Sequence, residues 1–338
     1  MKIIFFGTPD FAAVSLQALI TCASADVLAV YCQPDRPAGR GQSLHPGPVK
    51  TLALLHKIPI LQPYAFKDPA ELARLAAFKA DIFVVAAYGM ILPKALLDMP
   101  PLGTINVHAS LLPAYRGAAP IQRAVINGEQ RTGVTIMRVE PKLDSGPILL
   151  QGTADIGPDQ TAGELHDELA QLGGTLLLEA LAPMLEHRRP EYLTEYLKGQ
   201  AQDERLVTCA PKLHKSDGVL NFNLRARQVH NQARGVTPWP GAQLCFTRLS
   251  SAEDQAKALP PVNALVEKGL VLEGSSAVFS GADQPGAVLP LHGDILPVAC
   301  AEGFYGISRL KPAGGKSMGA AAFANGYLKN CTARISPV

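Results

Sequence analysis

Five short apolar runs in the first half of the chain restrict the fold more than any other feature. Residues 3–6, 27–32, 82–86, 104–107 and 134–139 are rich in Ile, Val and Phe and do not alternate with polar residues. A strand with one face in water alternates, whereas a strand covered on both faces does not. Between these runs lie segments with helical spacing, residues 11–19, 69–78 and 118–126. Strands and helices in this order imply an α/β fold with a doubly wound, mostly parallel sheet. A later helix opens on Thr161 with Glu164 three residues on, a capping-box pattern. Leu165, Leu169, Leu172 and Leu176 form its apolar stripe.

The pattern changes after Arg188-Arg189-Pro190. Residues 190–207 are polar and weakly periodic, as a linker would be. Strand candidates then follow at 218–222, 241–247 and 264–272, separated by Gly and Pro, with one helix over 224–234. Short strands with frequent turn signals fit a small β-barrel. The expected organisation is an α/β domain over 1–189, a linker over 190–207 and a second domain over 208–338. A chain of 338 residues is long enough for two cores.

No apolar stretch approaches the roughly 18 residues of a membrane span, and the opening run of six residues is too short for a secretory leader. The six cysteines form no Cys-x-x-Cys pair and the eight histidines are dispersed, so neither a zinc site nor a disulfide framework is signalled. A metal-free protein of the reducing cytoplasm, working as a monomer, is the expectation. The net charge of +2 does not by itself point to a polyanionic partner.

Chemistry concentrates between residues 106 and 151. Asn106 and His108 are spaced i, i+2 at the end of the fourth apolar run, so an extended strand directs both to the same side. Asp144 follows in a Leu-Asp-Ser-Gly-Pro turn. An amide donor, an imidazole and an acid that meet in one cleft can run acyl-type transfer to an amine. A lone histidine or aspartate would ordinarily be structural, and what sets these apart is their frame. A nicotinamide cofactor is disfavoured, because the first turn reads Gly7-Thr8-Pro9-Asp10-Phe11 and lacks a Gly-x-Gly-x-x-Gly cradle.

That frame resembles the signature of folate-dependent formyltransferases. The resemblance is carried by Asn106 to Pro113, Tyr115-Arg116-Gly117-Ala118-Ala119-Pro120, Gly133-Val134-Thr135 and Leu143-Asp144-Ser145-Gly146. It extends through the Phe6 to Ala12, Gln33 to Gly41 and Ala87 to Pro93 segments, Pro238-Trp239-Pro240, and Leu310 to Met318. Tyr115 stands where a tryptophan is common. The resemblance implies 10-formyltetrahydrofolate as donor, an OB-like barrel as second domain, and Asn106, His108 and Asp144 as the catalytic set. Asn106 would stabilise the oxyanion, His108 would share that task or move protons, and Asp144 would orient His108 and accept the amine proton. Met90, Ile91 and Leu92 would wall the pterin slot, and Ser110, Leu111, Leu112 and Pro113 would hold the folate beside His108.

The acceptor is a separate question. The version of the motif with Arg-Gly-Ala-Ala-Pro-Ile-Gln resembles the branch that acts on initiator methionyl-tRNA. Residues 33–50 form a long basic loop with Arg36, Arg40 and Lys50 against Asp35, and such loops are usually functional or disordered. Arg205, Lys212, Lys215, Arg225, Arg227 and Arg234 then face only Asp217, a footprint suited to phosphate backbones. Arg36, Arg40, Lys212 and Lys215 are the expected tRNA contacts, and Trp239 is expected to pack within the domain rather than stack on a base. A formyltransferase acting on glycinamide ribonucleotide or an amino sugar, and a non-catalytic RNA-binding protein on the same fold, are the alternatives.

Overall fold

In the computed structural model of the protein, residues 1–38, 43–186, 190–250, 258–272, 284–329 and 331–336 are described. The chain divides into two compact units. One comprises Met1–Ile121, Arg131–Asp155 and Glu164–Pro211, and the other Gln122–Gln130, Ile156–Gly163 and Lys212–Val338.

From the amino end the elements are β1 (Lys2–Gly7), α1 (Asp10–Thr21), β2 (Asp26–Tyr31), the hairpin strands β3 (Arg36–Ala38) and β4 (Ser43–His45), α2 (Pro48–Leu55), β5 (Ile60–Leu61) and α3 (Pro69–Ala77). Next come β6 (Ile82–Ala86), α4 (Lys94–Leu97), β7 (Thr104–His108), α5 (Pro120–Asn127), β8 (Arg131–Arg138), β9 (Ile148–Asp155), α6 (Ala162–Glu186) and α7 (Pro190–Lys198). Seven strands form one sheet in the order β5-β2-β1-β6-β7-β8-β9. The first five pair in parallel, and β8 and β9 add an antiparallel edge. The expected doubly wound α/β sheet is therefore what the chain forms. The chain first winds outward from β1 through β2 to β5, then crosses to β6 and β7. This reversal opens a crevice at the carboxyl ends of β1 and β6, where ligands bind in such sheets.

The non-alternating runs are buried as their composition requires. Ile3 to Phe6 are all inaccessible to solvent. Phe6 stacks on Tyr31 at 4.9 Å and meets Phe66, Phe83 and Tyr88. Truncating such a ring costs about 3 to 5 kcal/mol. Helix α3 starts where Asp68 accepts the Ala70 N–H at 2.9 Å, with Pro69 in the first turn.

Residues 190–207, expected as a linker, contain a helix and cluster with the first unit. In α7 Leu197 is buried, and the Tyr196 hydroxyl donates to the Ala180 carbonyl at 2.9 Å. The long loop expected over 33–50 contains the β3–β4 hairpin and the start of α2. Among the described residues, no helix is long and apolar enough to cross a membrane.

The second unit holds α8 (Ala226–Gly235), β10 (Ala242–Ser250), β11 (Ala258–Leu272), β12 (Leu296–Ala299), β13 (Phe304–Pro312), β14 (Met318–Gly319), α9 (Ala320–Tyr327) and β15 (Cys331–Ser336). Its sheet is antiparallel in the order β12-β13-β11-β10-β15, with β14 on β13. This curled half-barrel is the OB-like domain that the resemblance implied. Leu244, Phe246, Tyr305, Ile307, Leu310 and Phe323 fill its core. Pro260 and Pro261 sit where the β10–β11 register shifts, so neither removes a ladder hydrogen bond. Trp239, expected to pack, is 52% exposed instead. The neighbouring prolines take the packed places: Pro238 closes on Gly163 and Pro240 on Gly218.

Candidate active site

Strand β7 delivers the first two candidates. It lies between β6, in parallel register with Val85 opposite Asn106, and β8, antiparallel with Thr135 opposite His108. The loops that follow β6 and β7 thus leave from the same edge of the sheet. Asn106 is half-buried, and its side-chain amide engages none of the described residues. His108 is 6% exposed. Its Nε2 lies 3.1 Å from the Tyr115 carbonyl, which can only accept, so Nε2 carries the proton. Nδ1 faces Asp144 Oδ1 at 3.8 Å, within ion-pair range but beyond a hydrogen bond.

Asp144 arrives by a less direct route. Strand β8 ends with Arg138 opposite Ile105, at the far end of β7 from His108. The following loop, 139–147, folds back to bring its carboxylate to the ring. Asp144 adopts the left-handed region with φ +46°, an uncommon conformation for a residue with a Cβ. Its Oδ2 accepts the Gly117 N–H at 2.9 Å. Gly117 has φ +128°, and a Cβ there would lie 2.6 Å from the Ala210 carbonyl oxygen. Gly146 has no space either, because a Cβ would fall 2.0 Å from the Arg138 carbonyl oxygen.

The loop after His108 is fastened from below. Buried Thr135 donates to the Ser110 carbonyl at 2.6 Å and accepts the Leu112 N–H at 3.1 Å. Gln151 donates to the same hydroxyl and to the Leu112 carbonyl, each at 2.9 Å. Ser110 is fully buried and donates to the Ala114 carbonyl at 2.7 Å. Leu112 is buried, Leu111 and Pro113 are half-buried, and the Leu112–Pro113 bond is cis. In the neighbouring loop Leu92 belongs to the aromatic core and Met90 packs on it, while Ile91 is 91% exposed. Leu143, beside Asp144, is 69% exposed.

Sequence reasoning gave no role to a second set of side chains around Asp144. The Gln202 amide donates to the carbonyls of Asp144 (2.9 Å) and Gly146 (2.7 Å). Arg116, buried, donates to Gln202 Oε1 and to Glu204, which also accepts from Lys142. Arg116 and Lys142 hold the Glu204 carboxyl down at about 2. Fifty-eight residues separate Gln202 from Asp144, so no local spacing could have revealed the link.

Less of the basic charge is available than the sequence suggests. Lys50 is engaged by Asp35 at 2.5 Å and by Gln62, which keeps the Asp35 carboxyl below the usual range. Arg205 pairs with Asp203 and Arg225 with Glu302. Arg234 is buried, donating to Asn231 Oδ1 and to the carbonyls of Gly157 and Gln160. Lys212 and Lys215 are exposed. Arg36 begins β3, its backbone paired with His45, and Arg40 lies outside the described residues.

Comparison with known proteins places the chain in a family. The formyl transferase family profile matches residues 1–181, and the profile for the formyl transferase C-terminal domain matches residues 212–328. The chain belongs to the formyl transferase family. It is 46% identical over 331 residues to a methionyl-tRNA formyltransferase of Nitratidesulfovibrio vulgaris strain Hildenborough, covering 98% of this chain and 94% of that one. It is 42% identical to the methionyl-tRNA formyltransferase of Hahella chejuensis, covering 96% and 94%. Among solved structures, an N-formyltransferase from Helicobacter canadensis in complex with folinic acid and dTDP-3-aminofucose superposes with a TM-score of 0.61. That match covers 91% of this chain and 98% of the other; at 16% identity it bears on the fold alone.

Proposed function

We propose that this chain transfers the formyl group of 10-formyltetrahydrofolate to the free α-amine of initiator methionyl-tRNA. The observation that carries this is the full-length likeness to methionyl-tRNA formyltransferases in a chain whose His108 and Asp144 stand 3.8 Å apart. The neutral amine attacks the formyl carbon, placing negative charge on oxygen and positive charge on nitrogen. Asn106, its amide uncommitted, donates to that oxygen. His108 keeps Nε2 on the Tyr115 carbonyl, which leaves Nδ1 turned toward the reacting atoms and Asp144. Asp144 Oδ2 is fixed by the Gly117 N–H, and Oδ1 takes the amine proton directly or through one water. The formyl carbon–nitrogen bond of the donor then breaks, and the proton returns to the departing folate nitrogen through His108.

The donor lies along the edge shared by the loops after β6 and β7. Exposed Ile91 and Leu143, with Met90 and Leu111, offer apolar surface to the pterin, and backbone around Leu143 to Gly146 meets its polar rim. Lys212 and Lys215, with Arg36 and Arg40, contact the phosphates of the acceptor. The chain acts as a monomer in the cytoplasm and needs no metal for this chemistry. Mixing the protein with the donor and charged initiator tRNA should yield N-formylmethionine after hydrolysis of the ester. Formylation of glycinamide ribonucleotide or an amino sugar, with none of the aminoacyl-tRNA, would replace this acceptor by a small amine.

A further inference from the structure

We infer that Gln202 is a positioning residue for Asp144, and that the segment from Gln200 to Ala210 is a strap holding the catalytic loops in register. Nothing in the β7–β8 pairing brings Asp144 to His108, because the strand preceding its loop ends at the opposite end of β7. Some structure outside the sheet must hold the folded-back loop; the strap meets that loop at its base and across its turn, and then meets the loop after His108. At its start, Gln200 and Ile148 exchange both backbone hydrogen bonds at 2.8 Å, closing off the base of the loop. In its middle, Gln202 spans the turn, taking the carbonyls of residues 144 and 146 with the two N–H groups of one amide. Towards its end, Thr208 accepts the Tyr115 N–H on its hydroxyl and the Arg116 N–H on its carbonyl. Ala210 then donates to the Arg116 carbonyl at 2.7 Å and accepts from Ala119.

The orientation of the Gln202 amide is forced. Arg116 can only donate, and it does so twice to Oε1, at 3.0 and 2.7 Å. The nitrogen must therefore face the two carbonyls, which can only accept. Through this one side chain, the loop that gives Gly117 N–H to the Asp144 carboxylate is tied to the turn that presents it. The His108 ring is tied to the same strap, since its Nε2 partner is the Tyr115 carbonyl, which shares a peptide unit with the Arg116 N–H that Thr208 holds. Holding Asp144 at φ +46° requires outside support, and the Gln202 fork supplies it at the carbonyl of that residue.

Gln202 has this role only if Asp144 works in formyl transfer as proposed above, so the experiment must separate the two claims. A double-mutant cycle on the full chain does so, reading single-turnover formylation with 10-formyltetrahydrofolate and charged initiator tRNA. Gln202→Ala should lower kcat by about 10- to 100-fold, as misplacement of a reacting group does. KM for either substrate should change less than about threefold, a cut-off set well below that kcat loss. In an Asp144→Asn background, Gln202→Ala should cost less than about twofold more, because the residue it places no longer works. Gln202→Glu keeps the volume and the acceptor for Arg116 but loses the donating amide. It should repeat the result, and it serves if truncation unfolds the chain. Losses that multiply across the two backgrounds would make Gln202 a general stabiliser and overturn the inference, as would wild-type turnover by both Gln202 variants. Full activity of Asp144→Asn alone would instead remove the proposed role of the acid.

Discussion

His108 and Asp144 face one another across 3.8 Å without a hydrogen bond, and each is held by a different backbone group. The Tyr115 carbonyl takes the ring through Nε2, and the Gly117 N–H takes the carboxylate through Oδ2. These two backbone groups are two residues apart in the Arg-Gly-Ala-Ala-Pro loop. One loop thus sets the spacing of both groups while leaving Nδ1 and Oδ1 free for a proton in transit.

Asn106→Ala removes the side-chain amide proposed to donate to the developing oxyanion. The variant should fold normally, because the amide engages none of the described residues. Its kcat should fall by about 10²- to 10³-fold, the usual loss for one oxyanion donor. Steady-state kinetics at saturating donor would check it, and a change confined to KM would point to substrate binding instead.

Thr135→Val tests the pinning of the loop after His108. The hydroxyl makes three hydrogen bonds while fully buried, and valine preserves the shape but leaves the Leu112 N–H and the Ser110 carbonyl short of a partner. Stability should drop by about 1 to 3 kcal/mol in urea unfolding. Donor KM should rise, because Leu111 and Leu112 are no longer held in place.

His230 makes the second unit sensitive to acid. Burial lowers its pKa from 6.5, partly opposed by the Pro158 carbonyl at 3.2 Å and by Asp159 at 3.0 Å, and reinforced by Arg234 and Arg227. Its Nδ1 is buried with no hydrogen-bond partner among the described residues, as suits a neutral ring. A base with a depressed folded pKa takes up its proton more readily unfolded, so stability is full above about pH 6.5 and is lost as pH falls below it. Thermal melting at pH 7.5 and 5.5 should show a drop that shrinks in His230→Gln. An equal drop in both proteins would assign the acid sensitivity elsewhere.

Lys212→Ala and Lys215→Ala should each weaken acceptor binding without changing kcat. If each lysine neutralises one phosphate, each substitution should reduce the slope of log affinity against log salt by about one. Binding of uncharged tRNA measured from low to moderate salt reads this directly, and an unchanged slope would leave both lysines as solvated surface.

Four of the five parallel strands, and antiparallel β8, were legible because burial on both faces leaves a mark in the sequence itself, whereas two-residue β5 was not read. The segments around β1, β2, β6, β7 and β8 follow the five unbroken apolar runs. In the second unit β10 and β11 followed their hydrophobic content, but of residues 218–222 only Val219 and Leu220 pair with β10, at Gln243, and no full strand forms. There Gly218 is pressed against the Gly241 carbonyl, and Asn221 bonds the Asn223 N–H in a local turn. Helix α7 was missed because its apolar residues are few, and Leu197 and Tyr196 find their partners only in tertiary structure. Asn106 and His108 could be read from strand spacing. Asp144 could be read only from its motif, since its approach to the ring is made by a folded-back loop. Arg116 and Gln202 carried no local signal, because hydrogen bonds between segments 58 or more residues apart leave no periodicity.

The most direct test of the chemistry is the single-turnover rate of formyl transfer to methionyl-tRNA by Asp144→Asn, with both substrates saturating. Asparagine keeps the size of the side chain and an acceptor for the Gly117 N–H but cannot take a proton. The rate should fall by about 10²- to 10⁴-fold with both substrates still bound. A rate within a few-fold of the unmodified protein would contradict the assignment of proton transfer to the His108–Asp144 pair.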